Sequence, residues 1–463
     1  MNNKRLIVCL LLMSSGILNV VRSQTLWTLE GCKQMALEAN KGLKVAEEKQ
    51  VEAAASEKAA LWQMLPRVSA NGGYLWMEKS VQLMSNEEHE RLETLPIGGN
   101  LIAERLAALF ETDTRNMGGG AVTVSQPLFM GGKLLALHRT AHLLGEMRGL
   151  EYDKMKEDLM VSVEEAYWQV VSVTQKAELA QQYADLLEKL TKDVEEMVEA
   201  EVATKGDLTK VKVKRNEAQM NLTKARNGLA LAKMLLAQRC GQPLNTEFSV
   251  DSKIGVLPSD TPLAASDAHR LSPYADEVAM DSVWARRKEM RMLRVGDSVA
   301  MQGVVAARSL LLPNVALTGG YLFSNPMVTD GFQNNWDGMF FAGVVVNVPI
   351  LHPAAIYSLK AAKAKRREVQ WQMEEAQEMV ELQVKKVSYE LELAERKLAE
   401  AQSDLESAEE NLKLADESFK AGMANSSDLM AAQTAWLKAK GEVLDARIEI
   451  EMSRVTLRQA LGE

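Results

Sequence analysis

The chain has 463 residues, of which 47% are hydrophobic and 25% charged, and its formal net charge is −9. An acidic chain without a basic patch does not suit nucleic acid, so we expect no nucleic-acid partner. Cys32 and Cys240 are the only cysteines after the amino-terminal apolar run, too few for a disulfide framework, so we expect packing or assembly to provide stability.

The amino terminus has the features of a secretory signal peptide. Lys4 and Arg5 precede the apolar run Leu6–Val21, and small or apolar residues suited to cleavage follow, which predicts removal of residues 1–23. A membrane anchor is the alternative. No later segment contains the roughly 18 uninterrupted apolar residues of a membrane-spanning helix, so we predict none.

The first half of the remaining chain shows the order helix, strand, strand, long helix, helix. Aromatic residues such as Tyr74 and Trp76 cluster at strand ends, and Val122 and Val124 alternate with polar residues. This pattern is typical of transmembrane β-barrels, with a soluble hairpin as the alternative. The expected elements lie at 29–64, about 67–76, about 121–129, 133–200 and 207–240, with a non-helical tip at about 200–206.

The second half repeats this order. Its long helical stretch contains neither glycine nor proline, and its apolar residues follow a 3,4 heptad spacing from Val384 to Phe419. That spacing predicts a helix with one apolar seam, about 100 Å long at 1.5 Å per residue. The expected elements lie at 281–311, about 314–323, about 340–349, 354–421 and 428–461, with a tip at about 421–427.

The two halves also share sequence. LPRVSANGGYLW (65–76) returns as LPNVALTGGYLF (312–323) at an offset of 247, and the stretches ending at Gly241 and Gly462 align at an offset of 221. We interpret the chain as a duplicated unit. Its predicted parts are a first repeat (24–241), a linker (242–279) and a second repeat (280–463).

Four strands are too few for a membrane barrel. The smallest such barrels have about eight strands, and open strand edges in lipid leave backbone groups unpaired. Either the strands lie outside a membrane, or several chains share one barrel: two chains would supply eight strands and three would supply twelve.

This organisation resembles the TolC family of outer-membrane efflux channels. The resemblance is carried by the duplicated order, the Leu-Pro before one strand and the proline ending the next, the tips AEVATKGDL and AGMANSSDL, and the closing LRQALG. It implies a mainly α fold with a small transmembrane β part. Three chains would form a twelve-stranded β-barrel in the outer-membrane lipid of a Gram-negative bacterium, continued by a periplasmic α-helical barrel.

The resemblance also implies a function and partners. A homotrimer of this kind is the passive exit duct of a tripartite efflux or secretion system, and it works with a periplasmic adaptor protein and an inner-membrane transporter. The pump selects the cargo, so drugs, metals, lipids and proteins all stay open. In such a duct, the long first loop with its amphipathic segment 101–110 is expected to cover the outer mouth, and a plug in that mouth is the alternative.

The family resemblance places adaptor docking at the two tips. Glycine lets a chain turn sharply after a helix, which suits Gly422. Glu201 occupies the equivalent position of the first tip, where we expect Gly206 to provide the turn instead. The implied docking residues are Ala200, Glu201, Val202, Ala421, Gly422 and Met423.

The resemblance further implies a periplasmic gate. Asp428 occupies the position of an acidic ring residue, whereas Ala431 replaces the second ring acid. Asp207 matches the acceptor of the links that hold the gate closed, but Phe419 and Ala424 stand where the donors would be, so we expect those links to be absent. The alternative for both aspartates is an ordinary helix N-cap.

Catalytic and metal-binding motifs are not evident. His138 and His142 have a metal-capable spacing on a helix but no third ligand, and we see no nucleophile elbow, P-loop or zinc-hydrolase motif. We therefore expect no metal, no cofactor and no enzyme activity. The alternative function is a soluble periplasmic coiled-coil adaptor or scaffold, and two helical hairpins in one chain favour the duct.

Overall fold

The computed structural model describes residues 25–78, 87, 90, 91, 94, 115–251, 279–327 and 335–462. The predicted signal peptide, segment 101–110 and most of the predicted linker lie outside these residues. The chain divides into two compact units. The first comprises Met1–Glu47, Leu150–Arg291 and Glu375–Glu463, and the second comprises Glu48–Gly149 and Met292–Glu374.

Helices dominate the described residues, and the strands are few, which confirms the expected mainly α fold. The strands are β1 (Thr25–Trp27), β2 (Arg67–Trp76), β3 (Asn116–Met130), β4 (Phe248–Val250), β5 (Asn314–Asn325) and β6 (Asp337–Asn347). The helices are α1 (Leu29–Ala39), α2 (Lys41–Trp62), α3 (Lys133–Glu199), α4 (Lys205–Arg239), α5 (Met280–Arg286), α6 (Lys288–Ser309), α7 (Pro353–Lys420) and α8 (Ser426–Leu461).

Several observed boundaries differ from the predicted ones. β3 begins at Asn116 because its pairing with β2 continues as far as Trp76, beyond the alternating residues that suggested a start at 121. β6 ends at Asn347, opposite Asn314, so the predicted end at Pro349 is wrong. Proline has no N–H to donate to a strand ladder, which explains why pairing stops before it.

Each short helix that precedes a strand pair is broken, which the sequence did not predict. Asn40 separates α1 from α2, and Arg287 separates α5 from α6, both with an extended ψ of 124°. The Asn40 side-chain amide donates to the carbonyl of Arg239 at 3.3 Å, and Arg287 Nη1 donates to the carbonyl of Gln459 at 2.9 Å. Both acceptors belong to the end of a distant helix, so tertiary contacts fix the breaks.

The second unit contains a four-stranded antiparallel sheet with the order β2-β3-β5-β6. Gly118 of β3 pairs with Asn325 of β5, and the register shifts between Pro127 and Phe129. The rings of Tyr321 and Phe340 lie towards one end of the β5–β6 pair, tilted by 54° with their centroids 4.8 Å apart. The aromatic residues predicted to cluster at strand ends therefore do so here.

Both outer strands of this sheet are open to solvent. Every residue of β2 is exposed, and most of β6 is exposed as well. Large apolar side chains are among them: Val68 and Tyr74 are each 70% exposed and Phe340 is 83% exposed. An exposed, apolar edge strand has unpaired backbone groups, and such a strand commonly pairs with another strand or is covered by other residues.

The first unit contains α3 from Leu150 with α4, α7 from Glu375 with α8, and the small parallel sheet β1–β4. The rings of Trp27 (β1) and Phe248 (β4) stack with their centroids 3.8 Å apart. The predicted heptad positions of α7, from Val384 to Phe419, are all buried or half-buried. The seam therefore faces the packed side of the helix, as its spacing indicated.

Candidate functional site at the helical tips

The first hairpin tip closes with a tight backbone turn after α3. The N–H of Glu201 donates to the carbonyl of Val198 at 3.1 Å. The N–H of Val202 donates to the carbonyl of Met197 at 2.8 Å. This pair of bonds is the Schellman arrangement, which places one residue after the helix in the left-handed conformation.

That left-handed residue is Glu201, with a φ of 62°. It is the one non-glycine residue with positive φ in the described part of the chain. An L-residue in this conformation costs about 1–2 kcal/mol relative to glycine-like freedom. The expectation that Gly206 provides the turn is wrong, because the bonds from the end of α3 fix the turn at Glu201 and Gly206 already lies in α4.

The second tip has the same backbone turn. Gly422 has a φ of 70°, and its N–H donates to the carbonyl of Phe419 at 3.0 Å. The N–H of Met423 donates to the carbonyl of Ser418 at 2.9 Å. All six residues predicted to dock an adaptor lie in these two turns and are exposed, with Val202 at 69% and Met423 at 80%.

The two aspartates lie in the first turns of α4 and α8, but neither is the N-cap. Thr204 caps α4, accepting from the N–H of Asp207 at 3.2 Å. Asn425 caps α8, accepting from the N–H of Asp428 at 2.9 Å. The N-cap interpretation is therefore wrong. The tips end earlier than predicted, at Thr204 and Asn425. A carboxylate in the first turn is still favoured by the helix dipole.

The carboxylates have different surroundings. The Thr204 hydroxyl donates to Asp207 Oδ2 at 2.7 Å, and Lys210 Nζ lies 3.3 Å from Asp207 Oδ1. These two hydrogen bonds lower the pKa of Asp207 below its ordinary value. The exposed Asp428 carboxylate has no hydrogen-bonding or ionic partner among the residues that the structure describes.

Apolar packing joins the two hairpins just above the tips. Phe419, at a position of the missing link donors, is 8% exposed and lies in a cluster with Leu187, Val194, Val211 and Leu429. This cluster was not predicted from the sequence, because it combines residues from four helices. A polar contact adds to it: the hydroxyls of Tyr183 and Thr434 lie 3.2 Å apart.

A groove of 810 Å³ lies between α4 and α8, next to the aspartates. Ala431, which replaces the second ring acid, lines it together with Met430. Its remaining lining includes the lysines Lys210, Lys214 and Lys438. The surroundings of Asp428 are thus less acidic than the family resemblance alone implies.

The histidine pair lies away from the tips, in the second unit. His142 Nδ1 is 2.9 Å from Glu57 Oε1, and His138 Nδ1 is buried without a partner. Across the described ranges, no group of three or more His, Cys, Asp or Glu residues is arranged to hold a metal ion.

The sequence matches the model of the outer membrane efflux protein family over residues 33–242 and 279–463. This match covers most of the chain, which therefore belongs to that family. Its members are transport proteins of the outer membrane rather than enzymes. No curated relative matches the sequence at a significant level.

Solved structures of outer-membrane channels share the fold. CusC superposes with a TM-score of 0.74 at 15% identity, covering 94% of this chain and 91% of its own. The channel VceC from Vibrio cholerae gives 0.71 at 16% identity, with 94% and 96% covered. The channel CmeC from Campylobacter jejuni gives 0.72 at 14% identity, with 94% and 85% covered.

These matches confirm the family predicted from the sequence and its outer-membrane location. The protein is an outer-membrane efflux channel, and the soluble scaffold is not favoured. No helix in the described ranges combines the length and the apolar character needed to cross a lipid bilayer.

Proposed function

We propose that three copies of this chain form a passive exit duct for solutes driven by an inner-membrane pump. The strands of the three chains close one twelve-stranded barrel in outer-membrane lipid, and the hairpins form a periplasmic α-helical barrel. The duct carries out no catalysis and holds no cofactor.

The observation that carries this proposal is the four-stranded sheet with two open edges. Among the residues that the structure describes, β2 and β6 each pair with a strand on one side only, and both present exposed apolar side chains. In lipid, the free backbone groups of these edges would be unpaired. Pairing β2 of one chain with β6 of the next satisfies both edges at once, and repetition around a threefold axis closes the ring.

The tips dock a periplasmic adaptor protein in this proposal. The six turn residues are exposed, and Val202 and Met423 present apolar side chains to an incoming partner. A small apolar surface on a rigid backbone turn suits a partner that also ends in a tight turn.

Asp428 forms the narrow acidic aperture of the duct. Its carboxylate is exposed and unpaired in the single chain, so three copies can approach a common axis and attract cations. Asp207 is paired with Lys210 in its own hairpin, and we therefore assign it to the start of α4 rather than to the aperture.

The experiment that tests the duct is planar-bilayer conductance of the detergent-purified protein, after native mass spectrometry has shown its oligomeric state. Wild type is compared with Asp428→Ala and with Asp207→Ala, the equivalent change in the first hairpin. We expect a trimer with discrete, cation-preferring conductance steps, and a weaker cation preference in Asp428→Ala only.

Other outcomes separate the parts of the proposal. A trimer whose steps are the same in both variants would remove Asp428 from the aperture and keep the duct. A monomer that is soluble without detergent and gives no steps would overturn the duct itself.

A further inference from the structure

The two cysteines that remain after the predicted signal peptide lie together in the core of the first unit. Cys32 belongs to α1 and Cys240 follows the last residue of α4, and both are 0% exposed. The Cys240 thiol donates to the carbonyl oxygen of Cys32, with Sγ and O 3.6 Å apart, and each thiol shifts the pKa of the other. Two residues far apart in sequence thus lie close together in this core.

The segments that carry them are fixed by several further contacts. A Cβ atom added to Gly241, whose φ is 70°, would lie 2.8 Å from the backbone of Ala39. The Asn40 side chain donates to the carbonyl of Arg239, and β1 pairs with β4 beside the two cysteines. The backbones at both ends of a covalent bridge are therefore already in close contact.

We propose that Cys32 and Cys240 form an intramolecular disulfide in the exported protein, a bond that ties the amino-terminal segment to the end of the first helical hairpin. Exported compartments are oxidising, and the outer-membrane location of the family places this chain in one. Counting cysteines could not show this, because two thiols reveal a bridge only when the fold brings them together.

The burial of both thiols indicates at which stage of folding the disulfide forms. Both side chains are 0% exposed, so an oxidase cannot reach either sulfur atom in the folded chain. The bond therefore forms before the core closes around it, and the oxidant is a periplasmic thiol oxidase with a reactive disulfide.

The reaction balances as a thiol–disulfide exchange. One cysteine thiolate of the chain attacks the oxidase disulfide and forms a mixed disulfide with it. The second cysteine thiolate then attacks the chain sulfur of that mixed disulfide, so the Cys32–Cys240 bond forms as the mixed bond breaks. The oxidase leaves as a dithiol with two electrons and two protons from the chain.

The bridge closes a covalent loop from residue 32 to residue 240, with β2, β3, α3 and α4 inside it. A disulfide that closes so long a loop restricts the unfolded chain strongly. It also holds α1 against the end of α4 if the β1–β4 pair opens.

The test is the redox state of the full-length protein made in a Gram-negative host that exports it. Cells are quenched with acid, thiols are blocked with N-ethylmaleimide in denaturant, and the protein is digested with trypsin without reductant. We expect one linked species that joins the peptide ending at Lys33 to the peptide from Cys240 to Lys253, and its loss on reduction. The variants Cys32→Ser and Cys240→Ser should each show one blocked thiol at the remaining cysteine.

Two results would overturn the proposal. One is maleimide on both Cys32 and Cys240 in most wild-type molecules without reductant. The other is a linkage between two copies of the chain, seen as a reductant-sensitive dimer that persists in the single-cysteine variants.

Discussion

Glu201 adopts a left-handed backbone conformation that is unfavourable for a residue with a side chain. Its φ of 62° is the same left-handed conformation that Gly422 adopts at the second tip, where glycine is suited to it. Because glycine often ends a helix, the sequence suggested Gly206 as the turn residue. The hydrogen bonds to the last carbonyls of α3 instead place the turn at the residue after Ala200, and sequence alone does not report these bonds. Strain at an exposed position of the proposed docking surface is tolerated by the packing of the hairpin around it.

We predict that Glu201→Gly stabilises the first hairpin. Relief of the left-handed strain is worth about 1–2 kcal/mol, and the extra flexibility of unfolded glycine offsets about 0.5–1 kcal/mol of it. The melting temperature should therefore rise. Gly422→Ala is the matched control: no atom lies within 4 Å of the added Cβ, so it should lower stability through the backbone alone. A rise in stability for Gly422→Ala would contradict this account of both tips.

Asp207 predicts a pH dependence of the first hairpin. The Thr204 hydroxyl and then Lys210 lower its folded pKa, so its contribution to stability is complete above the unfolded pKa and is lost as the pH falls through the folded pKa. Asp207→Asn should therefore lower the melting temperature at neutral pH but make no difference below the depressed pKa.

Asp428→Asn is the control for this pH series. Asp428 occupies the equivalent helix position, but Ala431 stands where the first hairpin has Lys210, so its carboxylate gains no ion pair. Its neutralisation should change the melting temperature less. Equal effects of the two variants at neutral pH would show that the stabilisation comes mainly from the helix dipole and not from the contacts of Thr204 and Lys210 with Asp207.

Among the helices, the sequence predicted what local periodicity encodes. The 3,4 spacing from Val384 to Phe419 identified α7 and its packed face, since a heptad seam is readable without any partner. The breaks at Asn40 and Arg287 were missed. Neither is a glycine or proline, and each residue donates to a carbonyl group at the end of another helix, which no local pattern reports. Asn40 also caps α2 locally, since its Oδ1 accepts from the N–H of Gly42 at 2.8 Å.

The candidate site shows the same division. The tip residues and the two aspartates were assigned through the family resemblance, and the alignment of the two halves placed Asp207 opposite Asp428. The contacts that link the hairpins were not predicted, since Phe419 packs with residues of α3 and α4 that are far away in sequence, in addition to Leu429 of α8. Phe419, which has no hydrogen-bond donor, makes an apolar contact at this position.

We predict that Phe419→Ala loosens the two hairpins. Removing a buried phenylalanine side chain typically costs about 3–5 kcal/mol. Thermal unfolding should therefore begin at a lower temperature, and the resting conductance in planar bilayers should rise. Phe419→Leu, which keeps most of the volume, should cost less than about 1.5 kcal/mol and leave the resting conductance low. A resting conductance that stays low in Phe419→Ala would mean that this cluster does not hold the duct closed.

At the scale of the whole molecule, the sheet separates two faces. Val68, Ala70 and Tyr74 of β2 share one face, because strand residues alternate, and Ser69 and Asn71 lie on the other. Across the pair, Ala70 lies opposite Val122, which continues the apolar face, while the Ser69 and Thr123 hydroxyls lie 2.7 Å apart on the polar face. In the proposed barrel, the apolar face meets lipid and the polar face lines the channel.

We predict that Ala70→Arg prevents assembly in the outer membrane whereas Asn71→Arg is tolerated. An arginine on the lipid face near the bilayer midplane costs about 2–4 kcal/mol per chain, whereas on the channel face it stays in water. The measurement is the amount of heat-sensitive trimer in outer-membrane fractions. The opposite order of effects would reverse the assignment of the two faces, and equal tolerance would argue against membrane insertion of β2.

The two tips share one backbone turn, but its left-handed residue is Glu201 in the first and Gly422 in the second, and this difference has a consequence for symmetry. In the proposed trimer, six such turns surround the axis, so the peptide framework is close to sixfold. Glutamate and glycine alternate around that ring, so its charge is only threefold. A partner assembly of six identical subunits would therefore contact two kinds of binding position, and its neighbouring copies could not remain equivalent once bound.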